Sequence, residues 1–203
     1  MTAPRIHPIE AESYRLLEAR VDLSHLQPAE RAIVARVIHA TADLSFASSM
    51  KMTPGAAEAG VTALRNGNPV VTDVEMVRSG IPGVRAECFL QSARALAGSG
   101  ERLGTTLSAT AIEIAAARHE SGAIFVVGCA PTALERLLDL VSSGTVRPAV
   151  VIGVPVGFVG AAESKARLRS VTSLESISNV GERGGSAAAA AIVNALWRLA
   201  GTP

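Results

Sequence analysis

Cysteine and aromatic residues are scarce in this chain of 203 residues, which has two cysteines and an aromatic content of 3%. Cys88 and Cys129 are too far apart in the sequence for a zinc motif or a thioredoxin-like pair. The chain also lacks a basic excess, since 19 basic residues face 18 acidic ones for a net charge of +1. Proteins that bind nucleic acid usually combine a basic patch with stacking aromatics. We therefore expect no nucleic-acid partner.

Long apolar runs are missing as well. The longest, residues 123–130 and 149–159, are too short to span a bilayer and contain glycine or proline. Residues 1–8 have no apolar signal region. We expect a cytoplasmic protein with reduced thiols and no membrane partner.

The chain does contain strands that alternate with helices. Residues 123–127 and 149–153 are continuous, β-branched runs typical of buried parallel strands. Residues 69–72 predict a third strand, and weaker strands are predicted at 86–91 and 174–178. This alternation predicts one α/β domain over residues 1–203, with a mostly parallel sheet and helices on both faces in a Rossmann-like, three-layer arrangement.

Helices are predicted from apolar spacing and from start and stop residues. The first should cover residues 8–20 and direct Ile9, Leu16 and Leu17 inward. The others are predicted at 28–39, 54–65, 74–79, 107–119, 131–141, 161–168 and 186–199. Thr105 or Thr106 is the expected cap of the helix that begins at Leu107.

Four loops rich in glycine or proline follow the predicted strands, at 72–73, 128–131, 154–160 and 179–186. Ligands of open α/β sheets bind beyond the carboxyl ends of the strands. The last loop precedes a helix, so it either offers N–H groups to an anion or is a tight turn that permits close packing. Since the chain has neither a P-loop nor a G-x-G-x-x-G sequence, a nucleotide-binding enzyme is disfavoured.

His39 is the candidate for acid–base chemistry because histidine exchanges a proton near neutral pH. Its position near the end of a helix also fits a hydrogen-bonded boundary residue without a catalytic role. Lys165 and Arg183 lie close to the glycine-rich loops and either pair with an acidic ligand or are solvated surface residues. The four histidines have no metal-ligand spacing, so neither a metal nor another cofactor is expected.

Five segments together resemble the precorrin-8X methylmutase family, isomerases of corrin-ring (cobalamin) biosynthesis. They are residues 36–43, 69–76, 130–134, 153–165 and 184–196, and the likeness extends from about Ile9 to Leu199. The segment GVPVGFVGAAESK at 153–165 is the most specific of them.

The resemblance implies migration of a methyl group from carbon 11 to carbon 12 of precorrin-8X, or of its cobalt form, to give hydrogenobyrinate or cobyrinate. A proton-assisted [1,5]-sigmatropic shift needs no nucleophile and no metal, and the family's histidine falls on His39. The substrate is a large, flat tetrapyrrole with acidic groups around its rim. Val156, Phe158 and Val159 are expected to cover the ring face. The implied substrate-binding residues are Thr72, Asp73, Ala130, Pro131, Val156, Gly157, Phe158, Lys165, Arg183, Gly184, Gly185 and Ser186. The resemblance also implies a homodimer with its sites at the subunit boundary.

One position departs from the family pattern. Most relatives have Thr-Arg-Ser where this chain has Thr106-Leu107-Ser108, and that arginine lines the substrate site. Leucine cannot pair with a carboxylate. The binding free energy of the substrate is therefore expected to be weaker by about 1.5–3 kcal/mol unless Arg85 or Arg102 replaces the contact. The departure leaves a second hypothesis open, a catalytically impaired tetrapyrrole-binding or product-carrier protein on the same scaffold.

Overall fold

The computed structural model describes residues 7–98 and 105–201. Its helices are α1 (Pro8–Glu18), α2 (Pro28–Thr41), α3 (Phe46–Ser49), α4 (Ala56–Arg65), α5 (Glu75–Ser79), α6 (Leu90–Gly98), α7 (Leu107–Arg118), α8 (Pro131–Ser142), α9 (Ala161–Ser170) and α10 (Ser186–Leu199). Its strands are β1 (Met50–Met52), β2 (Val70–Thr72), β3 (Ala86–Cys88), β4 (Ile124–Val127), β5 (Val150–Gly153) and β6 (Ser176–Asn179).

The six strands form one sheet in the order β1-β6-β5-β4-β2-β3. All neighbours are parallel except β1, which runs antiparallel to β6 with Met50 opposite Asn179. In the centre, Ile124 of β4 lies beside Val150 of β5, and the pairing continues in register to the ends of both strands. The prediction of a mostly parallel sheet is confirmed.

Helices cover both faces of this sheet. Because side chains alternate along a strand, Ile124 of β4 joins a core with α2, α4 and α10, whereas Phe125 joins a second core with α7, α8 and α9. Both of these strand residues are fully buried. The predicted three-layer α/β architecture is therefore confirmed. Among the described helices, none has the length and apolar character needed to cross a membrane.

The structure corrects the sequence prediction around β3. The strand predicted at 86–91 ends at Cys88, and Leu90 already begins α6. The short elements α3 and β1 were also not predicted, because three or four residues give too little periodicity to detect.

The inward face predicted for α1 is wrong in part. Leu17 is buried, but Ile9 is 75% exposed and Leu16 is 42% exposed. The reason is that α1 packs on α2 at the edge of the domain and buries a single stripe of its surface. Two large apolar side chains are thus left on the outside of the described chain.

The carboxyl ends of the parallel strands meet at one edge of the sheet, as predicted. Helices α8, α9 and α10 are among those that begin at this edge, because they follow β4, β5 and β6 respectively. The four glycine- and proline-rich loops lie there together. This edge is the candidate functional site.

Candidate functional site

Asp73 organises the loop between β4 and α8. Its Oδ1 accepts from the N–H of Gly128 at 3.0 Å, and its Oδ2 accepts from those of Cys129 at 2.8 Å and Ala130 at 2.9 Å. Burial raises the pKa of this carboxyl group, and the three N–H donors act in the opposite direction. The N–H of Ala130 and both oxygens of Asp73 are therefore engaged within the chain. Direct contact of either residue with a substrate stays a prediction.

Thr72 and Pro131 flank this arrangement. Thr72 is buried at the end of β2, and its hydroxyl donates to the carbonyl of Glu87 at 3.4 Å. Pro131 is the first residue of α8 and is half-buried. The structure thus places both predicted residues at the edge, beside Asp73.

The loops at 154–160 and 180–185, here called the paired loops, are hydrogen-bonded to each other. The N–H of Gly157 donates to the carbonyl of Glu182 at 3.1 Å, and the N–H of Gly185 donates to that of Val154 at 2.8 Å. Gly184 has a φ of 155°, and a Cβ there would lie 2.1 Å from the Val154 oxygen. Only glycine permits this close approach of the two backbones. Gly184 therefore fits the interpretation of this loop as a tight turn that permits close packing.

Lys165 lies behind the paired loops. Its side chain is fully buried on α9, and Nζ donates to Oδ1 of Asn179 at 3.2 Å and to the carbonyl of Arg183 at 2.5 Å. Burial, helped by the charge of Arg169, lowers the pKa of Lys165 to about 8, while Glu182 opposes the shift. The alternative that Lys165 is a solvated surface residue is wrong. Its ammonium group supports the loop from the inside, and direct pairing with a ligand stays a prediction.

Arg183 connects the paired loops to the end of α2. Its exposed guanidinium forms a salt bridge with Asp43 and donates to the hydroxyl of Ser45 at 3.1 Å. The Ser45 hydrogen bonds, followed by the Arg183 guanidinium, lower the pKa of Asp43. Asp43 follows His39 closely in the sequence, so this contact brings the histidine to the same edge as the loops.

His39 occupies the last turn of α2 and is half-buried. Its Nδ1 lies 2.8 Å from the hydroxyl oxygen of Ser13, and its ring stacks on Tyr14 with centroids 5.1 Å apart and planes 18° apart. The histidine lines a groove of about 640 Å³ between α1 and α2. The exposed apolar side chains of the groove are Ile9, Leu16 and Leu44.

Three helix N-termini at this edge have an N-cap residue whose own side chain makes no capping hydrogen bond. The N-cap residues of α8, α9 and α10 are Ala130, Gly160 and Gly185, and none of them caps its helix with its own side chain, although the Asp73 carboxylate accepts from the N–H of Ala130 at the start of α8. Ser186 is the first residue of α10. A helix N-terminus carries unsatisfied N–H groups and partial positive charge, so three together create a field that attracts acidic groups.

The loop after β5 presents apolar side chains to solvent. Phe158 is 90% exposed, Val159 is 88% exposed and Val156 is 46% exposed. A strongly exposed apolar cluster marks a binding surface. Contact of these side chains with a ring face stays a prediction.

Leu107, where the resemblance implies an arginine, begins α7 at the same edge. The hydroxyl of its neighbour Thr106, the N-cap of α7, lies 2.8 Å from that of Thr132 in the first turn of α8. Arg85 directly precedes β3 and therefore lies at the opposite, amino edge of the parallel strands, so it does not replace the missing arginine. Arg102 lies outside the described residues.

Sequence reasoning missed the residues that reach the site through tertiary packing. Ser13 and Tyr14 contact His39 from another helix, and Asn179 contacts Lys165 across the sheet edge. No spacing rule links these positions. Within residues 7–98 and 105–201, no three histidine, cysteine, aspartate or glutamate side chains converge in a group that could hold a metal ion.

Comparisons with known proteins give a consistent result. A family model described as precorrin-8X methylmutase matches residues 8–199. The chain is 41% identical to a cobalt-precorrin-8 methylmutase of Methanothermobacter thermautotrophicus, over 88% of this chain and 84% of the relative. It is 39% identical to a precorrin-8X methylmutase of Pseudomonas aeruginosa, over 93% of each chain. The crystal structure of a precorrin-8X methylmutase from Thermus thermophilus matches with a TM-score of 0.86 and 34% identity, over 95% of both chains.

Proposed function

The chain belongs to the precorrin-8X methylmutase family, and we propose that it moves the methyl group of precorrin-8X, or of the cobalt form, from carbon 11 to carbon 12. The family is an isomerase family of cobalamin biosynthesis that converts precorrin-8X to hydrogenobyrinate. The match over residues 8–199 is the observation on which this proposal rests. Relatives of similar identity are named for the metal-free and the cobalt-bearing substrate, so both are tested below.

His39 is the proposed proton donor. Its Nδ1 contacts Ser13, which leaves Nε2 as the ring nitrogen that can lend a proton to the conjugated macrocycle. A proton on the ring withdraws electron density, so the bond from the methyl group to carbon 11 breaks as the bond to carbon 12 forms. The proton then returns to His39, and the product is an isomer of the substrate. No covalent intermediate with the protein is required.

The paired loops and the helix N-termini at their edge are the proposed binding site for the rim carboxylates. The first N–H groups of α10 have no partner within the helix and follow Gly185 directly, and the exposed guanidinium of Arg183, which pairs with Asp43, belongs to the same loop. Hydrogen bonds from N–H groups and guanidinium to carboxylate are charge-assisted and stronger than neutral ones. Phe158 and Val159 then cover an apolar face of the macrocycle.

A second copy of the chain is proposed to complete the site. Ile9 and Leu16 are exposed beside His39 although both are large and apolar, and Phe158 is exposed on the loop after β5. The groove that Ile9 and Leu16 line with Leu44 is an exposed apolar surface, and such surfaces are typical of protein interfaces. This supports the homodimer with sites at the subunit boundary.

Both cysteines are free thiols, which supports the proposed cytoplasmic location.

One observation favours the product-carrier hypothesis: Leu107 stands where the resemblance implies an arginine. The family and the relatives compared above are named methylmutases, so the comparisons support the enzyme. Leu107 then weakens the hold on one carboxylate without removing the proposed proton donor.

A visible absorption spectrum tests the proposal. The purified chain is incubated with an excess of precorrin-8X and, separately, with the cobalt form. Because migration changes the conjugation, turnover changes the spectrum, and we expect conversion of many equivalents per chain with at least one form. Binding of both forms with no spectral conversion would refute the enzyme and favour the carrier.

A further inference from the structure

The contact between α1 and α2 places two consecutive side chains of α1 on the imidazole of His39. The hydroxyl oxygen of Ser13 lies 2.8 Å from Nδ1, within hydrogen-bond distance, and the ring of Tyr14 stacks on the imidazole face. In the part of the chain that the structure describes, Ser13 is the one side chain within hydrogen-bond distance of the ring. The imidazole is thus held at one edge and on one face by the same helix.

An ion-pair network fixes α1 in this position. One oxygen of Glu10 lies 2.7 Å from Nη1 of Arg36 on α2 and 2.7 Å from Nη1 of Arg198 on α10. The hydrogen bond from Arg198 is the main cause of the lowered pKa of Glu10, with smaller contributions from the charges of Arg36 and His39. Glu10 lies on the same face of α1 as Ser13, so the network restrains the hydroxyl relative to α2.

We infer that Ser13 is a positioning residue for the methyl migration: its hydroxyl oxygen accepts a hydrogen bond from Nδ1–H of His39, so that Nε2 alone exchanges a proton with the substrate. The inference rests on the proposed function, since it deepens the role of His39. The hydrogen bond that one ring nitrogen of a histidine makes sets which nitrogen carries the proton. With Nδ1–H bonded to Ser13, the neutral and the protonated ring make the same contact. The proton can then leave and return at Nε2 without rotation of the ring.

Tyr14 complements Ser13 by restricting the ring plane. Its aromatic face lies nearly parallel to the imidazole, and a π face attracts the cationic form of histidine. Phenylalanine would keep this stacking, whereas leucine would remove it. Ser13 therefore determines the tautomer and Tyr14 the orientation.

Nitrogen NMR of the full-length chain with ¹⁵N-labelled histidine tests the tautomer directly. The four histidines are His7, His25, His39 and His119, and His39→Gln identifies the signals of His39. We expect neutral His39 to carry its proton on Nδ1 in the wild-type chain. In Ser13→Ala the population should move toward the Nε2–H tautomer. An Nε2–H tautomer in the wild type, or no change in Ser13→Ala, overturns the inference.

Kinetics of the same variants separate this inference from the proposed function. Ser13→Ala should lower kcat about 3- to 10-fold, the equivalent of one neutral hydrogen bond, while KM changes less than about twofold. Ser13→Thr retains a hydroxyl and should restore kcat, and Ser24→Ala, at an exposed serine, is the matched control. If Ser13→Ala shifts His39 toward the Nε2–H tautomer but leaves kcat unchanged, His39 does not transfer the proton. In that case the proposed role of His39 fails although the contact is real.

Discussion

The ammonium group of Lys165 donates to Asn179 Oδ1 at 3.2 Å and lies fully buried behind the loop that begins α10. Burial lowers the pKa of Lys165 from its ordinary value of 10.5 to about 8. The folded chain therefore binds this proton less readily than the unfolded chain, so the folded state is penalised at neutral pH by roughly 3 kcal/mol. The penalty decreases as pH rises from about 8 to about 10.5.

We predict a pH-dependent difference in stability between the wild-type chain and Lys165→Met. The free energy of unfolding of the wild type, minus that of the variant, should increase between about pH 8 and pH 10.5. Denaturant unfolding at several pH values measures it, and titration of Cys88 and Cys129 is common to both chains and cancels. Lys51→Met, at an exposed lysine, is the control and should give a flat difference. A flat difference for Lys165→Met would contradict the buried ammonium.

Gly184→Ala should disrupt the paired loops. A Cβ at this position would lie 2.1 Å from the carbonyl oxygen of Val154, and neither backbone segment can move without breaking the hydrogen bond from Gly185. We expect a loss of about 2 kcal/mol or more in stability, together with weaker product binding. Gly181→Ala is the control, because its φ is also positive at 85° but the space around it is open. Thermal unfolding should place Gly184→Ala well below Gly181→Ala, and equal Tm values would contradict the close approach.

Leu107→Arg should strengthen binding of the product. The side chain at the start of α7 lies at the edge where the rim carboxylates are proposed to bind, and a charged hydrogen bond contributes about 1.5–3 kcal/mol. We expect the Kd for hydrogenobyrinate to fall about 10-fold or more in a calorimetric titration. Leu107→Gln, which adds length without charge, should change it little. If both variants bind like the wild type, Leu107 does not face the substrate.

Leu16→Glu should separate the proposed dimer. Leu16 is 42% exposed on α1 beside the groove, and a carboxylate there would have to be desolvated at the subunit boundary. Light scattering should give about twice the chain mass of 20.8 kDa for the wild type and the single-chain mass for the variant. Ala117→Glu, at an exposed position of α7, should remain dimeric. A wild type with the mass of one chain would refute the dimer itself.

The layers of the fold could be predicted because their signals are local. The apolar runs of β4 and β5 and the proline that opens α8 predict these elements within one or two residues. The resemblance of segments such as 153–165 then identified the family. The strand β1 escaped prediction because it is three residues long and is stabilised by pairing with β6, distant in the sequence.

The site was predictable as an edge of the sheet but not as a set of contacts. Loops that follow parallel strands must meet at one edge, so the Gly-rich segments were expected together. The burial of Lys165 depends on how α9 packs on β6, and the contact of Ser13 with His39 depends on how α1 packs on α2. Such contacts arise from tertiary packing, which residue spacing within one segment does not encode.

Turnover by His39→Gln tests the central claim most directly. Binding of hydrogenobyrinate is measured on the same preparation, and His25→Gln, at an exposed histidine, serves as the control. We predict that His39→Gln loses at least about 100-fold in kcat, the usual contribution of a general acid, while its Kd for product stays within about threefold of the wild-type value. A variant that turns over precorrin-8X within about twofold of the wild-type rate would contradict His39 as the proton donor.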